Sequence, residues 1–525
     1  MTAMGYRAPD QKAFDHAVWL KPELCLNDRL LPAVQELAAE AIRQSGRDNI
    51  RQDFLENITI TMGVILANFH RNHMIDHNVY TIIPLKNGLF SSTNFNPHHI
   101  NARSLRLCTY YLERNGYIYD KMGGNYDNNR KFGYPTRYRP SKLLIERVEL
   151  IHLNNTFDQH TIPIIRNTLD NNPSSITIDD MYKVAPLPSI RLRDRKENGQ
   201  EFINFDPTEE TERMAANVAT YNSFLREHWV DLLVPDDVLA TLQGAANDDN
   251  EHEEKRRYTV LDLLLNRDLY RVFNNGTFAE GGRFYGGWWQ NVPRQQRQWL
   301  TIDWWPTAEV DYSSMQIVML YAKEGIKLEG DAYHIDGIDP HYRPLIKRTL
   351  LKIINATGRM EAPRKDALPE GWTRQQLIEA VKARHEPIAK HFRTGIGLQL
   401  QRTDSDIAEA VMLEMKSRGK LALPIHDSFV VKLGQQDELG GVMVEEFARQ
   451  TGQSIGVKGD NTWFDYLRAT VPEAFELDNH GVRSHEDFWS DYESQPQFAR
   501  YRERRSHFLK KKGEDWIWRH SPFLG

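Results

Sequence analysis

PIHDSFVV (residues 424–431) places three polar residues between two apolar runs. The preceding LALPI and the following FVVKL are typical of two strands joined by a tight turn, with His426 and Asp427 at the tip. An aspartate in a turn commonly does no more than bind nearby backbone groups. Asp427 therefore indicates chemistry only if a second acidic residue is presented in a comparable way.

Such a residue occurs in TAEVDYSSMQIVMLYAKEG (307–325). The pattern predicts a strand that ends at Asp311, followed by a helix that ends at Gly325, with one apolar face made of Met315, Val318, Met319 and Ala322. Two aspartates at the ends of different strands can converge on divalent metal ions. Mg²⁺ prefers hard oxygen ligands and accepts phosphate and water in its other positions, so two carboxylates suffice. The pair therefore fits nucleotidyl transfer, in which two ions activate a hydroxyl and hold a triphosphate.

A third segment, IDPHYRPLIKRTLLKIINATG (338–358), predicts a helix with Asp339 as its N-cap, Pro340 at its first position and Gly358 after its end. Residues four apart share one helical face, which here carries Arg343, Lys347, Leu351 and Asn355. Like charges at this spacing are destabilising unless an anion lies against them. Lys352 lies on a different face of the helix. It is the alternative to Arg343 and Lys347 as a ligand for a triphosphate.

VDYSSMQI resembles motif A, and PIHDSFVV resembles motif C, of the family A polymerases, which include bacterial DNA polymerase I and the phage-type single-subunit RNA polymerases. The helix at 338–358 resembles their fingers helix. GGRFYGGWWQNVP (281–293) and LQRTDSDIAEAVMLEM (400–415) resemble the segments of that family that contact primer and template. The five signals occur in the family's order within residues 277–433. The N-terminal half is not covered by the resemblance.

The resemblance implies an α+β right-hand polymerase with a palm sheet and helical fingers and thumb. Asp311, Asp427 and the backbone carbonyl of Tyr312 would hold two Mg²⁺ ions, for which Mn²⁺ is a possible substitute. Arg343 and Lys347 would neutralise the triphosphate, while Gln316 and Asn355 would face the sugar. The residues expected to hold primer and template are Arg283, Gln290, Asn291, Gln401 and His426.

Three positions depart from the family pattern. Gln316 stands where the DNA-polymerising members carry a glutamate that blocks the ribose hydroxyl, and an amide could either exclude that hydroxyl or bind it. Ser428 stands where DNA polymerases carry glutamate, and His-Asp-Ser-Phe is closer to the RNA-polymerising branch. Asn355 replaces an aromatic residue that commonly stacks on the base pair. No exonuclease carboxylates are found upstream, so no proofreading is expected.

The N-terminal half contains ARSLRLCTYYLERNGYIYDKMGG (102–124), which predicts a helix ending at Gly116 and then a hairpin with a Gly/Asn-rich turn. A helix followed by a basic hairpin resembles a winged-helix DNA-binding module, in which the helix enters a groove and the wing contacts phosphates. An ordinary helix and hairpin with a basic surface is the alternative. The cations of the predicted wing are Arg130, Lys131, Arg137 and Arg139.

Bulk composition restricts the class of protein. The chain has 525 residues, a net charge of −6 and two cysteines, Cys25 and Cys108, so we expect neither a disulfide framework nor a zinc cluster. No signal peptide and no apolar run of about 20 residues is recognised, so we expect a cytoplasmic protein of a bacterial or phage-infected cell that does not enter membranes. The charged run 245–257 suggests a linker. The predicted domains are 1–150 (winged-helix-like), 151–257 (connecting or thumb-like) and 258–525 (palm and fingers, with a basic C-terminal tail).

The sequence thus predicts a template-directed nucleotidyltransferase, in first place a DNA-directed DNA polymerase without proofreading. Its expected partners are a DNA template, a primer and nucleoside triphosphates. The alternatives are a single-subunit RNA polymerase or primase-like enzyme, and a non-catalytic replication initiator whose palm is degenerate. The nucleotide preference, primer dependence, biological origin, specific DNA site, partner proteins and oligomeric state are left open.

Overall fold

The computed structural model describes residues 17–47, 49–75, 77–85, 94–123, 126–127, 132–133, 135–156, 181–196, 199–244, 261, 263, 268–358, 368–459, 491–513 and 516. The chain forms two compact units. The first comprises residues 1–188, 234–265 and 492–513, and the second comprises 189–233, 266–491 and 514–525. The domain boundary predicted after residue 150 falls inside a helix, Lys142–Thr156. The predicted linker at 245–257 lies outside the described residues.

Helices and strands are mixed along both units, so the predicted α+β class is confirmed. The helices are α1 (Leu31–Gln44), α2 (Gln52–Ile75), α3 (Ala102–Arg114), α4 (Lys142–Thr156), α5 (Glu209–Glu227), α6 (Asp236–Gly244), α7 (Met315–Lys323), α8 (Arg343–Asn355), α9 (Arg374–Arg384), α10 (Gly397–Ser417), α11 (Gln436–Thr451) and α12 (Ala499–Lys512). The strands are β1 (Val18–Trp19), β2 (Leu24–Leu26), β3 (Thr81–Ile83), β4 (Ile118–Met122), β5 (Tyr126–Asp127), β6 (Phe132–Gly133), β7 (Thr136–Pro140), β8 (Tyr182–Val184), β9 (Ile190–Lys196), β10 (Gly199–Ile203), β11 (Val230–Leu232), β12 (Tyr270–Asn274), β13 (Thr277–Tyr285), β14 (Leu300–Ile302), β15 (Trp305–Tyr312), β16 (Leu423–Ile425), β17 (Ser428–Lys432) and β18 (Val457–Gly459). None of the described helices combines the length and the apolar character needed to cross a bilayer.

The first unit contains the predicted helix and hairpin. The side chain of Asn101 caps α3 by accepting a hydrogen bond from the N–H of Ser104 at 3.0 Å, and Gly116 follows the helix with a φ of 74°. β4 and β7 form the antiparallel pair, but β7 also pairs with β3, in the order β1-β3-β7-β4. The second strand of the hairpin is therefore an interior strand of a four-stranded sheet.

The second unit is organised around β15. Its sheet has the order β11-β14-β15-β17-β16, and β18 pairs with the last three residues of β15. A separate sheet, β10-β9-β12-β13, is tied to α10 by Arg271, which is fully buried and binds Asp406 and Glu409, each at 2.7 Å. A buried charge needs such partners, because the loss of its hydration would otherwise go uncompensated. β15 and β17, the strands on either side of the predicted site, are interior strands of the first of these sheets, and β16 is at its edge.

Candidate active site

The strand register sets the two predicted metal ligands at adjoining backbone positions. Asp311 is the last but one residue of β15, and its partner across the antiparallel pair is Ser428. Asp427 precedes Ser428 in the two-residue turn between β16 and β17, and the N–H of Tyr312 donates to its carbonyl oxygen at 3.4 Å. Opposed residues of an antiparallel pair have Cα atoms about 4.5–5.5 Å apart. Asp311 and Asp427 consequently occupy adjoining backbone positions at one end of the sheet.

Each aspartate has, within three positions along the chain, a residue whose backbone is in the left-handed conformation. His426, directly before Asp427, has a φ of 57°, and Ser314, three residues after Asp311, has a φ of 58°. This conformation costs a residue other than glycine about 1–2 kcal/mol. Strained backbone of this kind clusters at functional sites, where the surrounding structure holds it in place. Here it turns the chain sharply beside each aspartate, and it leaves the side chains of His426 and Asp427 exposed.

Ser428 holds the hairpin on its neighbour. Its buried hydroxyl donates to Glu309 Oε1 at 2.5 Å, and Arg297 donates to the same oxygen at 3.1 Å. Glu309 lies two residues before Asp311 and therefore on the same face of β15. The serine found where DNA polymerases carry glutamate is thus used to fix the turn that presents Asp427.

Tyr312 offers the site only its backbone. Its side chain is buried, and its hydroxyl donates to the carbonyl oxygen of Met443 in α11 at 2.7 Å. Burial raises the pKa of that hydroxyl well above its usual range. Among the described residues no group of three or more His, Cys, Asp or Glu side chains is placed to hold a metal ion. The donors predicted from the sequence are Asp311, Asp427 and a backbone carbonyl, and such hard oxygens fit Mg²⁺ when substrate phosphate and water complete its shell.

Two cations of α8 converge on one buried ring. Arg343 and Lys347 are exposed, one turn apart, and lie 4.7 Å and 5.8 Å from the ring centre of Tyr333. Burial raises the pKa of Tyr333, the negative charge of Asp427 acts in the same direction, and Arg343 opposes them. The ring of Tyr333 thus contacts both cations of α8, and the charge of Asp427 has a smaller influence on its hydroxyl.

Arg343 is already bound to a carboxylate. Its Nε and Nη2 donate to Asp331 at 2.7 Å and 3.0 Å, and this bidentate hydrogen bond is the main cause that lowers the pKa of Asp331. The same geometry suits a phosphate group. A cavity of about 490 Å³ lies beside the pair, and its lining includes Ser313 and Ser314 at the end of β15. That volume is appropriate for a small molecule.

The two residues expected to face the sugar are in contact. Asn355 Nδ2 donates to Gln316 Oε1 at 3.4 Å and to the carbonyl oxygen of Leu351 at 2.8 Å. A Cβ added to Gly397 would lie 1.9 Å from Asn355 Oδ1, so the start of α10 closes in on this amide. Lys352 is exposed, five residues after Lys347 and therefore on a different face of α8. The structure thus groups Gln316 with Asn355 and leaves Lys352 apart.

The residues predicted to contact primer and template are positioned in different ways. Arg283 Nε donates to Asp404 of α10 at 2.9 Å, and Gln290 Nε2 donates to the carbonyl oxygens of Phe284 and Pro424 at 3.1 Å and 3.2 Å. Gln290 thereby ties the segment before β15 to the hairpin strand β16. The remaining three are Asn291 and His426, which are exposed, and Gln401, which is half-buried. Their contacts with nucleic acid stay predictions.

Three residues of the site were missed by sequence reasoning. Burial raises the pKa of Asp404 to about 6, with Arg283 opposing and Asp427 adding to the effect. A signal for Asp404 was present, because it occupies a core position of α10 between Leu400 and Ile407. Asp331 and Tyr333 lie in a loop segment without periodicity, and nothing in the sequence singled them out.

The described arginines of the predicted wing are held within their own unit. Arg137 is buried, and its Nη1 donates to the carbonyl oxygen of Pro135 at 2.9 Å. The guanidinium of Arg139 lies 5.1 Å from the ring centre of Tyr80 and 4.5 Å from that of Tyr119. The other two predicted wing residues, Arg130 and Lys131, lie outside the described residues. DNA contact by the hairpin stays a prediction.

Comparison with known proteins adds little. No family model matches the sequence, and no curated protein matches it. Among solved structures, the chain is similar to one described as the POL domain of Pol1 from M. smegmatis in complex with DNA primer-template and dNTP. The identity is 10%, the match covers 87% of this chain and 69% of that one, and the TM-score is 0.26. A likeness at that TM-score carries no argument, so the function is argued from the site itself.

Proposed function

We propose that this chain is a metal-dependent, template-directed nucleotidyltransferase, and most specifically a DNA-directed DNA polymerase without proofreading. The observation that carries the proposal is the strand register that sets Asp311 beside the turn bearing Asp427. The contacts of Arg343 and Lys347 with the ring of Tyr333, which hold the two cations together on one face of α8, support it. In this proposal the sheet around β15 serves as the palm and α8 belongs to the fingers.

Asp311, Asp427 and the Tyr312 carbonyl would hold the divalent ions, Mg²⁺ or in its place Mn²⁺. When bound, the ions lower the pKa of the attacking hydroxyl and offset the charge on the transferred phosphoryl group. Arg343 and Lys347 bind the triphosphate, whose oxygens compete with Asp331 for the Arg343 guanidinium. Because phosphoryl transfer needs chiefly positioning and charge stabilisation, these groups supply what the protein must contribute.

The sugar is read by Gln316 and Asn355 in this proposal. A neutral amide can hydrogen-bond a ribose hydroxyl as well as exclude it, so the pair admits a second candidate function, a single-subunit RNA polymerase or primase-like enzyme. The use of Ser428 to brace the turn is compatible with either product. Primer and template would be held by Arg283, Gln290, Asn291, Gln401 and His426.

Primer extension tests the proposal. The full chain is incubated with Mg²⁺, a primed or an unprimed DNA template, and either deoxyribonucleotides or ribonucleotides. We expect incorporation of deoxyribonucleotides on the primed template. Ribonucleotide incorporation without a primer would establish the second candidate instead, and no incorporation of either would leave a non-catalytic DNA-binding protein.

Asp427→Ala tests the role of the Asp427 carboxylate. Because it removes a ligand of the charge-stabilising ions, we expect incorporation to fall by at least about 100-fold, with DNA affinity unchanged. Asp336→Ala is the matched control, since Asp336 is a fully exposed acid of the same unit. Turnover of Asp427→Ala within about 10-fold of wild type would remove Asp427 from the metal site.

A further inference from the structure

Helix α3 exposes a row of basic and aromatic side chains. Arg103, Arg106, Tyr110 and Arg114, which we call the α3 stripe, are spaced by three or four residues and so share one face of the helix. All four are exposed, and Tyr110 has 59% of its surface accessible. The opposite face, including Leu105, Cys108 and Leu112, lies in the hydrophobic core of the first unit. The helix is thus held by its apolar side and presents the stripe outward.

Two carboxylates near the stripe have partners of their own in the described part of the chain. Glu113 is the one acid in the sequence of α3, and Lys121 of β4 pairs with it at 2.9 Å. Glu40 of α1 accepts the hydroxyl hydrogen of Tyr111 at 2.7 Å. The residues of the stripe contribute three positive charges and no negative one, in a chain whose net charge is −6.

We propose that the α3 stripe binds double-stranded DNA through its phosphates. The stripe spans 12 residues of helix, about 16 Å from the first to the last, and the major groove is about 12 Å wide and admits one helix. Arginine and tyrosine side chains both donate hydrogen bonds to phosphate oxygens. The surface is distinct from the predicted wing, whose described arginines are buried or held between tyrosine rings.

The composition of the stripe favours duplex DNA over other anions. A helix that binds a membrane presents large apolar side chains on its bound face, but the leucines Leu105 and Leu112 are in the core. An interface with an acidic protein is built around an apolar centre, which the stripe lacks. Single strands are held by several stacking rings, and the stripe has one. The proposal does not depend on catalysis by the second unit.

Salt-dependent titration of the full chain provides the test. The probe is a labelled DNA duplex of about 20 base pairs closed by loops at both ends, so that it offers no primer terminus. The variant is Arg103→Ser/Arg106→Ser/Arg114→Ser. If the three arginines contact phosphates, the slope of log affinity against log salt falls by about 2.7, so that between 50 and 200 mM KCl wild type loses about 40-fold more affinity than the variant.

The matched control is Arg43→Ser/Arg51→Ser/Lys142→Ser, which removes three exposed cations of the same unit. Its slope should stay within about 0.5 of wild type. The corresponding triple lysine variant keeps the charge and should restore the slope, which excludes misfolding as the cause. An unchanged slope in the serine variant, or an equal loss in the control, overturns the proposal.

Other probes identify the class of partner. The titration is repeated with a single strand of the same sequence, with vesicles of phosphatidylserine and phosphatidylcholine, and with polyglutamate. Only the duplex should lose affinity in the serine variant; an equal loss with any other probe overturns the assignment to duplex DNA. If the serine variant binds the duplex normally while Asp427→Ala abolishes incorporation, that result would overturn this inference and leave the proposed function standing.

Discussion

The β16–β17 hairpin of the second unit and the β4–β7 hairpin of the first place their charged residues in opposite ways. In the former, the charge is in the turn, where Asp427 is exposed. In the latter, the described charges lie along a strand, where Arg137 is buried and Arg139 is stacked between two tyrosines. From the sequence alone, both segments were predicted to be hairpins that carry charged residues. Position within the hairpin decides whether the charge faces solvent.

The two hairpins also differ in what holds them. The far end of β17 is fixed by Asp303, which is fully buried and binds Lys432 and His228, each at 2.7 Å, while accepting the N–H of Trp229 at 2.9 Å. The β4–β7 hairpin is fixed by the Tyr80–Arg139–Tyr119 stack near the surface. A buried charge cluster is costly to break, whereas a partly exposed stack contributes modestly. Stability measurements can test this contrast.

The largest effect is expected for Asp303→Ala. The substitution leaves Lys432 and His228 without their carboxylate in the interior, so the free energy of unfolding should fall by about 3–5 kcal/mol in urea denaturation followed by tryptophan fluorescence. The control is Asp268→Ala, which breaks an exposed ion pair with Arg226 of the same unit and should cost less than about 1 kcal/mol. Equal losses in the two variants would show that the buried cluster does not anchor the strand.

The pH dependence of Asp303→Asn sharpens the same point. Burial opposes ionisation of Asp303, but the hydrogen bond from His228 and the charge of Lys432 outweigh it and lower the pKa. A lowered pKa stabilises the fold fully above the unfolded value of about 3.9, and this contribution is lost as the pH falls through the folded value. The stability gap between wild type and Asp303→Asn should therefore be constant above about pH 5 and shrink below about pH 4. A difference in stability between the two proteins that grew on acidification would mean that folding raises the pKa of Asp303.

Local signals allowed much of the site to be predicted. The capping residue Asp339 and Pro340 begin a 3₁₀ turn that leads into α8, and the helical period places Arg343 and Lys347 on one face. The strand ending at Asp311 and the turn at Asp427 followed from runs of apolar residues. Each of these features is decided by residues within a few positions in the chain.

Features that depend on distant packing could not be predicted. Arg137 is buried because β7 has β3 on its other side, opposite Ile82, and the sequence of the hairpin does not show a third strand. In α7 the expected buried face included Val318, yet Ile317 and Leu320 are buried as well and Val318 is only partly so. A short helix covered on several sides has no single apolar stripe to read. Asp331 bonds to Arg343 from twelve positions earlier in the chain, and the local sequence did not show this contact either.

A smaller effect is expected at the sugar-facing pair. Gln316→Ala should change the ratio of ribonucleotide to deoxyribonucleotide incorporation by about 10-fold in competitive primer extension, because in the proposed function the lost amide is the one that meets the sugar. Since Asn355 donates to Gln316, Asn355→Ala and the double variant should not be additive, with a coupling of about 0.5–1 kcal/mol. Gln375→Ala, an exposed glutamine on α9, is the control and should leave the ratio unchanged. An unchanged ratio in Gln316→Ala would place the sugar elsewhere.

The smallest effect concerns Arg139, and it returns to the second hairpin. Arg139→Ala removes a guanidinium from between Tyr80 and Tyr119 and its hydrogen bond to Asn78, so the free energy of unfolding should fall by about 1–2 kcal/mol. Lys142→Ala, an exposed cation of the same unit, should cost less than about 0.5 kcal/mol. Duplex titration of Arg139→Ala then decides its second role. A salt slope lower by about 1 would assign Arg139 a phosphate contact and support the predicted wing, whereas an unchanged slope would leave it a structural residue of the stack.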